Sequence, residues 1–159
     1  MEEIGKRLRG YCGIGIYNVK NEINYGTLFR SANCFGASFL FLIGKRFKKQ
    51  CSDTMRSERH IPVFEYDSFE NFYENIPYGC QLVGIEICER AKDLGTFAHP
   101  LKAAYILGQE DGSLPPEILN RCVQVVKIQT SACLNVAVAG SIVLYDRQRK
   151  IYRGGKPNE

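Results

Sequence analysis

Three stretches of this sequence set reactive or charge-binding residues beside glycines, at the ends of apolar runs. The first is Asn24-Tyr-Gly-Thr-Leu-Phe-Arg30, with the amide and the guanidinium six positions apart. On a helix, Gly26 and Arg30 share a face. Arg30 offers a permanent charge and a planar fork suited to phosphate, and is otherwise an ordinary surface arginine of an amphipathic helix. The second is Leu107-Gly-Gln-Glu-Asp-Gly-Ser-Leu114, in which Gly108 and Gly112 bracket Glu110 and Asp111. The backbone of such a loop can bond the polar edges of a ligand; the plain alternative is a tight turn with exposed acids. The third runs from Ile128 to Asn135 and continues as Val-Ala-Val-Ala-Gly140. Asn135 stands where backbone amides at a helix start can meet an anion. The small residues at 137, 139 and 140 allow close packing against a cofactor or a partner helix, or simply within a core.

Other chemistries lose their support. Gly13-Ile-Gly15 sits inside an alternating apolar run and lacks the third glycine of a dinucleotide fingerprint. There is no phosphate-binding loop of the Walker type, and Gly140-Ser141 lies within an apolar helical stretch, unlike a nucleophile elbow. His60 and His99 are the only histidines, and neither has a neighbouring metal-ligand partner; no metal is expected. The seven cysteines (12, 34, 51, 80, 88, 122 and 133) include no C-x-x-C pair. Zinc and disulfide frameworks need closer pairing, so mostly buried, reduced thiols are expected.

The elements that must position these stretches alternate. Strands are expected at Tyr11–Val19, Ser38–Ile43, His60–Tyr66, Gln81–Ile87, Ala103–Leu107 and Val123–Ile128. Helices are expected from Asn24, as N-cap, to Phe35 with Gly36 closing it; from Asp67 to Ile76; from Pro115-Pro116; and from Asn135 to about Tyr152. Pro62 puts its strand toward an edge, and residues 88–101 read as a loop or short helix. The pattern predicts an α/β fold, a mainly parallel sheet with helices on both faces. Ligands of such sheets sit beyond the carboxyl ends of the strands.

The 159 residues fit one domain, 1–159, with 45% apolar and 24% charged residues. No apolar run spans a membrane and no signal pattern opens the chain, so a cytoplasmic protein is expected. The net charge is +4, and the tail 147–159 alone carries that balance through Arg147, Arg149, Lys150, Arg153 and Lys156 against Glu159. A second cluster, Lys45, Arg46, Lys48 and Lys49, lies in a polar loop. Both are candidate contacts for a polyanion, or else a solvated helix end and a solubilising loop.

In order and spacing the three stretches resemble the signature motifs of the SpoU/TrmH family of RNA 2′-O-ribose methyltransferases, in the SPOUT superfamily. Asn24 and Arg30 match the first motif; Gly108, Glu110 and Gly112 match the second. The third, usually Ser-Leu-Asn-Val-Ser, reads Cys133-Leu134-Asn135-Val136-Ala137 here, with Gln129 where proline usually follows the strand. The likeness covers nearly the whole chain. It implies a deep carboxyl-terminal trefoil knot, S-adenosylmethionine bent into the knot's loops, and a homodimer in which two subunits complete each active site. The implied substrate is a ribose 2′-hydroxyl in structured RNA, transfer RNA ahead of ribosomal RNA, with no DNA partner. On this resemblance Asn24, Arg30, Glu110 and Asn135 form the catalytic group. A guanidinium stays protonated, so Arg30 would hold a phosphate and stabilise developing alkoxide charge. Glu110 would orient Arg30 or its own loop, and the asparagines would fix geometry. The cofactor would meet Gly84, Ile85, Glu86, Leu107, Gly108, Gln109, Gly112, Ile128, Gln129, Cys133, Leu134 and Ala137. RNA would meet Lys45, Arg46, Lys48, Lys49, Arg147, Arg149, Lys150 and Arg153. Cys133 and Ala137 lack the motif's hydroxyls, which leaves open a catalytically silent RNA-binding dimer. A knotted base methyltransferase and a small-molecule α/β enzyme also stay open.

Overall fold

The computed structural model describes residues 10–47 and 61–153. Along the chain run β1 (Tyr11–Tyr17), α1 (Glu22–Cys34), β2 (Phe39–Ile43), β3 (Val63–Tyr66), α2 (Phe69–Glu74), β4 (Gln81–Ile85) and β5 (Lys92–Asp93). A 3-10 turn (Leu94–Thr96) leads to β6 (Lys102–Leu107), α3 (Pro116–Arg121), β7 (Gln124–Lys127) and α4 (Val136–Arg153). The strands form one sheet in the order β3-β2-β1-β6-β4-β7-β5, and every neighbouring pair is parallel. Proline-led β3 lies at one edge, as expected. The two-residue β5 at the other edge falls in the segment read as loop or short helix; two residues are too few to show a period.

Both faces of the sheet are covered, which is why its central strands are apolar throughout. In β6, Ala103, Tyr105 and Leu107 join the core under α1 and α4, while Ala104 and Ile106 face α2 and α3. Gly13 and Gly15 in β1 serve the second face. Their partners across the ladder are Phe39 and Phe41, and a Cβ at either glycine would stand 2.2 Å from atoms of its partner. They are small so that two aromatic residues can lie over β1.

The start of α1 differs from the sequence expectation. Asn21, not Asn24, is the N-cap, its side chain accepting from Ile23 N at 2.8 Å. Asn24 instead heads the buried stripe Asn24, Leu28, Ala32, whose four-residue spacing is one helical face. A polar side chain is thereby held inside, beyond the end of the sheet. The tight fit of α4 on α1 depends on Gly140, where a Cβ would meet Leu28 Cδ1 at 2.6 Å.

The basic tail is also not a uniformly solvated face. Gly140, Val143, Leu144 and Arg147 are buried on one stripe of α4. The Arg147 guanidinium donates to Pro100 O (2.5 Å), Leu101 O (2.8 Å), Tyr11 O (3.3 Å) and Tyr105 Oη (3.2 Å). Arg147 is a core bolt and is withdrawn as an RNA contact. Lys150 is likewise engaged, with Leu94 O, Phe97 O and Asp146, while Arg149 is exposed beside Asp146. His99 lies between Tyr105 Oη (2.7 Å) and Asp146 Oδ2 (2.9 Å), so its role is to join α4 to the sheet. The cysteines depart from expectation: among the described ones only Cys12 and Cys122 are buried, Cys80 and Cys88 are half-buried, and Cys34 and Cys133 are exposed.

Candidate active site

A cleft of about 450 Å³ opens at the carboxyl ends of β4, β6 and β7 and at the start of α4. Its volume falls within the range of small-molecule sites, roughly 300–1,000 Å³. Ile85, Leu107, Ile128 and Leu134 supply apolar walls; Asn24, Glu86, Gln109, Glu110 and Asn135 supply polar groups.

One chain of hydrogen bonds ties three loops around it. Glu110 accepts from Lys20 N (2.9 Å), Asn21 N (3.0 Å) and Asn24 Nδ2 (2.9 Å). Asn24 Oδ1 accepts from Asn135 Nδ2 at 2.8 Å. Asn135 Oδ1 in turn caps α4, accepting from Ala137 N (2.9 Å) and Val138 N (3.2 Å). Burial alone would raise the Glu110 carboxyl, but the donors, Asn24 first, outweigh it and hold it below its ordinary range. The carboxylate is therefore ionised at neutral pH and orients its own loop; none of its hydrogen bonds comes from Arg30.

Glu86 closes the opposite wall, accepting from Leu114 N and Ile87 N, each at 2.9 Å. Gln109 accepts from Asn18 Nδ2 at 2.5 Å. Asn18 is a site residue that sequence reasoning missed. Its φ of 54° ends β1, and asparagine is among the few residues that tolerate that region. An asparagine directly after an apolar strand was the available signal. A Cβ at Gly112 would stand 2.4 Å from the Gln109 amide, so a side chain there would displace Gln109 from Asn18.

Of the expected cofactor contacts, Ile85, Glu86, Leu107, Gly108, Gln109, Gly112, Ile128, Cys133 and Leu134 line the cleft. Gly84, Gln129 and Ala137 do not. Gly84 turns its Cβ position toward Cys122 and Val125 on the far face, because side chains alternate along a strand. Gln129 is exposed, and Ala137 is buried on the inner face of α4. Ile87, Ser113, Lys127, Thr130, Val136 and Ala139 line the cleft unanticipated. Of the expected catalytic group, Asn24, Glu110 and Asn135 converge and Arg30 does not. Arg30 is exposed on α1 and outside the cleft lining.

Among the expected RNA contacts, Lys45 pairs with Glu65 at 2.8 Å and Arg46 with Asp111 at 2.6 Å. Lys48 and Lys49 lie outside the described residues, as does the Arg153 side chain.

A parallel sheet covered on both faces, with a cleft built from loops at its carboxyl edge, defines the α/β class whose small-ligand sites lie at that edge. The model of the SpoU rRNA methylase family matches residues 12–145, and the chain belongs to that family. A tRNA (guanosine(18)-2′-O)-methyltransferase of Aquifex aeolicus is 24% identical over 140 residues, covering 84% of this chain and 66% of the relative. An uncharacterized tRNA/rRNA methyltransferase of Archaeoglobus fulgidus is 27% identical over 143 residues, covering 85% and 63%. The chain thus spans slightly less than two thirds of either relative. Its fold matches the crystal structure of the A. aeolicus TrmH/SpoU tRNA modifying enzyme with a TM-score of 0.78 at 24% identity, covering 94% of this chain and 79% of that one. It also matches the AdoMet-bound rRNA methyltransferase of Sinorhizobium meliloti, again at 0.78 and 24%, covering 89% and 57%.

Proposed function

We propose that this protein transfers the methyl group of S-adenosylmethionine to a ribose 2′-hydroxyl of structured RNA, transfer RNA ahead of ribosomal RNA. We read it as a cytoplasmic homodimer whose carboxyl-terminal segment forms a deep trefoil knot. The carrying observation is the chain Glu110–Asn24–Asn135, which joins the three family motifs around one cleft. DNA lacks the target hydroxyl and is not expected as a substrate.

The cleft suits the cofactor. Apolar walls fit a purine face, and the backbone of Thr130, Cys133 and Leu134 borders the cleft, where its polar groups suit a ligand's polar edges. Ile85, Leu107, Ile128 and Leu134 would hold it; when bound, it supplies an electrophilic methyl group. The protein's part is alignment and charge stabilisation. Asn24 is bonded to Glu110 and Asn135, and Asn135 to Asn24 and the first turn of α4, so both act as positioning residues.

Arg30 carries the remaining burden from a second copy. Six residues at about 100° each turn its direction roughly 120° away from Asn24, so it leaves its own cleft and faces outward. There it would grip the phosphate beside the target ribose and stabilise the alkoxide in the partner's cleft.

The test is methyl incorporation into bulk RNA, followed by nuclease digestion and nucleoside mass analysis. Ribose-methylated nucleosides are expected, with Arg30→Ala abolishing turnover while cofactor affinity persists. Mixing Arg30→Ala with Asn135→Ala subunits should restore part of the activity, since the mixed dimer keeps one intact site. Base-methylated nucleosides, or RNA binding with no incorporation, would overturn the reading in favour of the base enzyme or the silent dimer respectively.

A further inference from the structure

At the lip of the cleft one carboxylate sits between two cations. Asp111 Oδ1 is 2.6 Å from Arg46 Nη2, and Oδ2 is 3.3 Å from Nη1 and 3.6 Å from Lys20 Nζ. The two-pronged guanidinium contact is the arrangement arginine also offers a phosphate. Arg46 does not depend on Asp111 for its position. Its Nε donates to Asn18 O at 3.0 Å and its backbone N to Val19 O at 2.8 Å. One edge of the guanidinium is thus anchored to the end of β1, and the other edge is held out toward whatever anion is present.

All three side chains are partly exposed, Lys20 at 62%, Asp111 at 45% and Arg46 at 34%. Exposed ion pairs are worth little net, so the carboxylate can be exchanged at small cost. Its neighbours in the chain, Glu110 and Gly112, line the cleft. Glu110 stays locked to Asn24 and to the backbone of residues 20 and 21, so moving the Asp111 side chain leaves the cleft wall intact.

We propose that Lys20 and Arg46 form a binding site for an RNA backbone phosphate next to the target nucleotide, and that Asp111 occupies this site as an internal stand-in until RNA displaces it. This rests on the RNA methyltransferase reading and adds to it a residue that weakens substrate affinity. Asp111 keeps the two cations paired, so weaker polyanions are rejected and only an RNA that docks elsewhere as well gains the site.

The experiment measures binding of a mixed transfer RNA pool by fluorescence anisotropy at 50 and 200 mM salt. Asp111→Asn should bind at least about threefold more tightly at the lower salt, with that gain largely lost at the higher, as one extra phosphate contact implies. Asp111→Ser should behave alike, and thermal melting checks that both variants are folded. In an Arg46→Gln background the gain should disappear. If folded Asp111→Asn and Asp111→Ser bind no tighter than wild type while wild type methylates RNA, this inference fails and the proposed function stands. Weaker binding by both would make Asp111 a support for Arg46, which also overturns it. No salt-dependent RNA affinity in any variant would overturn the proposed function itself.

Discussion

Replacing Asn24 tests whether the site is held by the chain of hydrogen bonds described above. Asn24→Ala removes the donor to Glu110 and the acceptor for Asn135. A bond to a charged group contributes about 1.5–3 kcal/mol and a neutral one about 0.5–1.5 kcal/mol. Glu110 keeps two backbone donors, and water from the cleft can replace part of what is lost, so the net cost is about 2 kcal/mol. In a chain of this length that lowers Tm by roughly 4–8 °C. Asn24→Asp distinguishes bonding from packing. It is nearly isosteric, but at neutral pH it sets a second carboxylate against Glu110. In wild type the folded-state pKa of Glu110 is depressed, so its contribution is present above the ordinary carboxylate range and fades as pH falls through the folded value. In Asn24→Asp the pair shares a site and one pKa rises, so the variant gains stability relative to wild type as pH falls from 7 to 5. Thermal melts at several pH values read both effects. The reasoning fails if Asn24→Ala melts within a degree of wild type, or if the deficit of Asn24→Asp is the same at pH 5 as at pH 7.

Arg147→Ala should cost about 3 kcal/mol, since it removes four hydrogen bonds from a buried guanidinium; urea unfolding measures this, and a loss of RNA affinity without loss of stability would restore Arg147 to the surface. Gly140→Val should destabilise by roughly 1–3 kcal/mol, because its added atoms overlap Leu28 and Ile14; an unchanged melt would mean that α1 and α4 are not in close contact. Burial is the main force holding the His99 imidazole below its ordinary pKa, against the opposing pull of Asp146. The unfolded chain therefore takes up this proton first, and stability should decline as pH drops through the ordinary imidazole value of about 6.5. His99→Gln should flatten that segment of a Tm–pH profile, and an unchanged slope would contradict the assignment.

The sequence by itself determined the alternation of strands and helices, the burial of the sheet on both faces, and the three loops that meet at its carboxyl edge. These follow from periodicity and from glycine and asparagine at turns, which are local properties. Asn24, Glu110 and Asn135 each stood out locally, near the end of an apolar element, but only the resemblance to the family motifs made them a group. Their roles were not legible. Whether Asn24 caps a helix or faces a carboxylate 86 positions away depends on which strand lies beside β1, and that strand is β6, distant in sequence. Arg147 shows the opposite error. Its charge suggested solvent, yet its spacing from Gly140, Val143 and Leu144 continues a buried stripe, and the carbonyls of residues 11, 100 and 101 with the Tyr105 hydroxyl make that burial tolerable. A buried polar group is stable only where distant segments supply its partners, and the pairing of distant segments is decided by the tertiary fold.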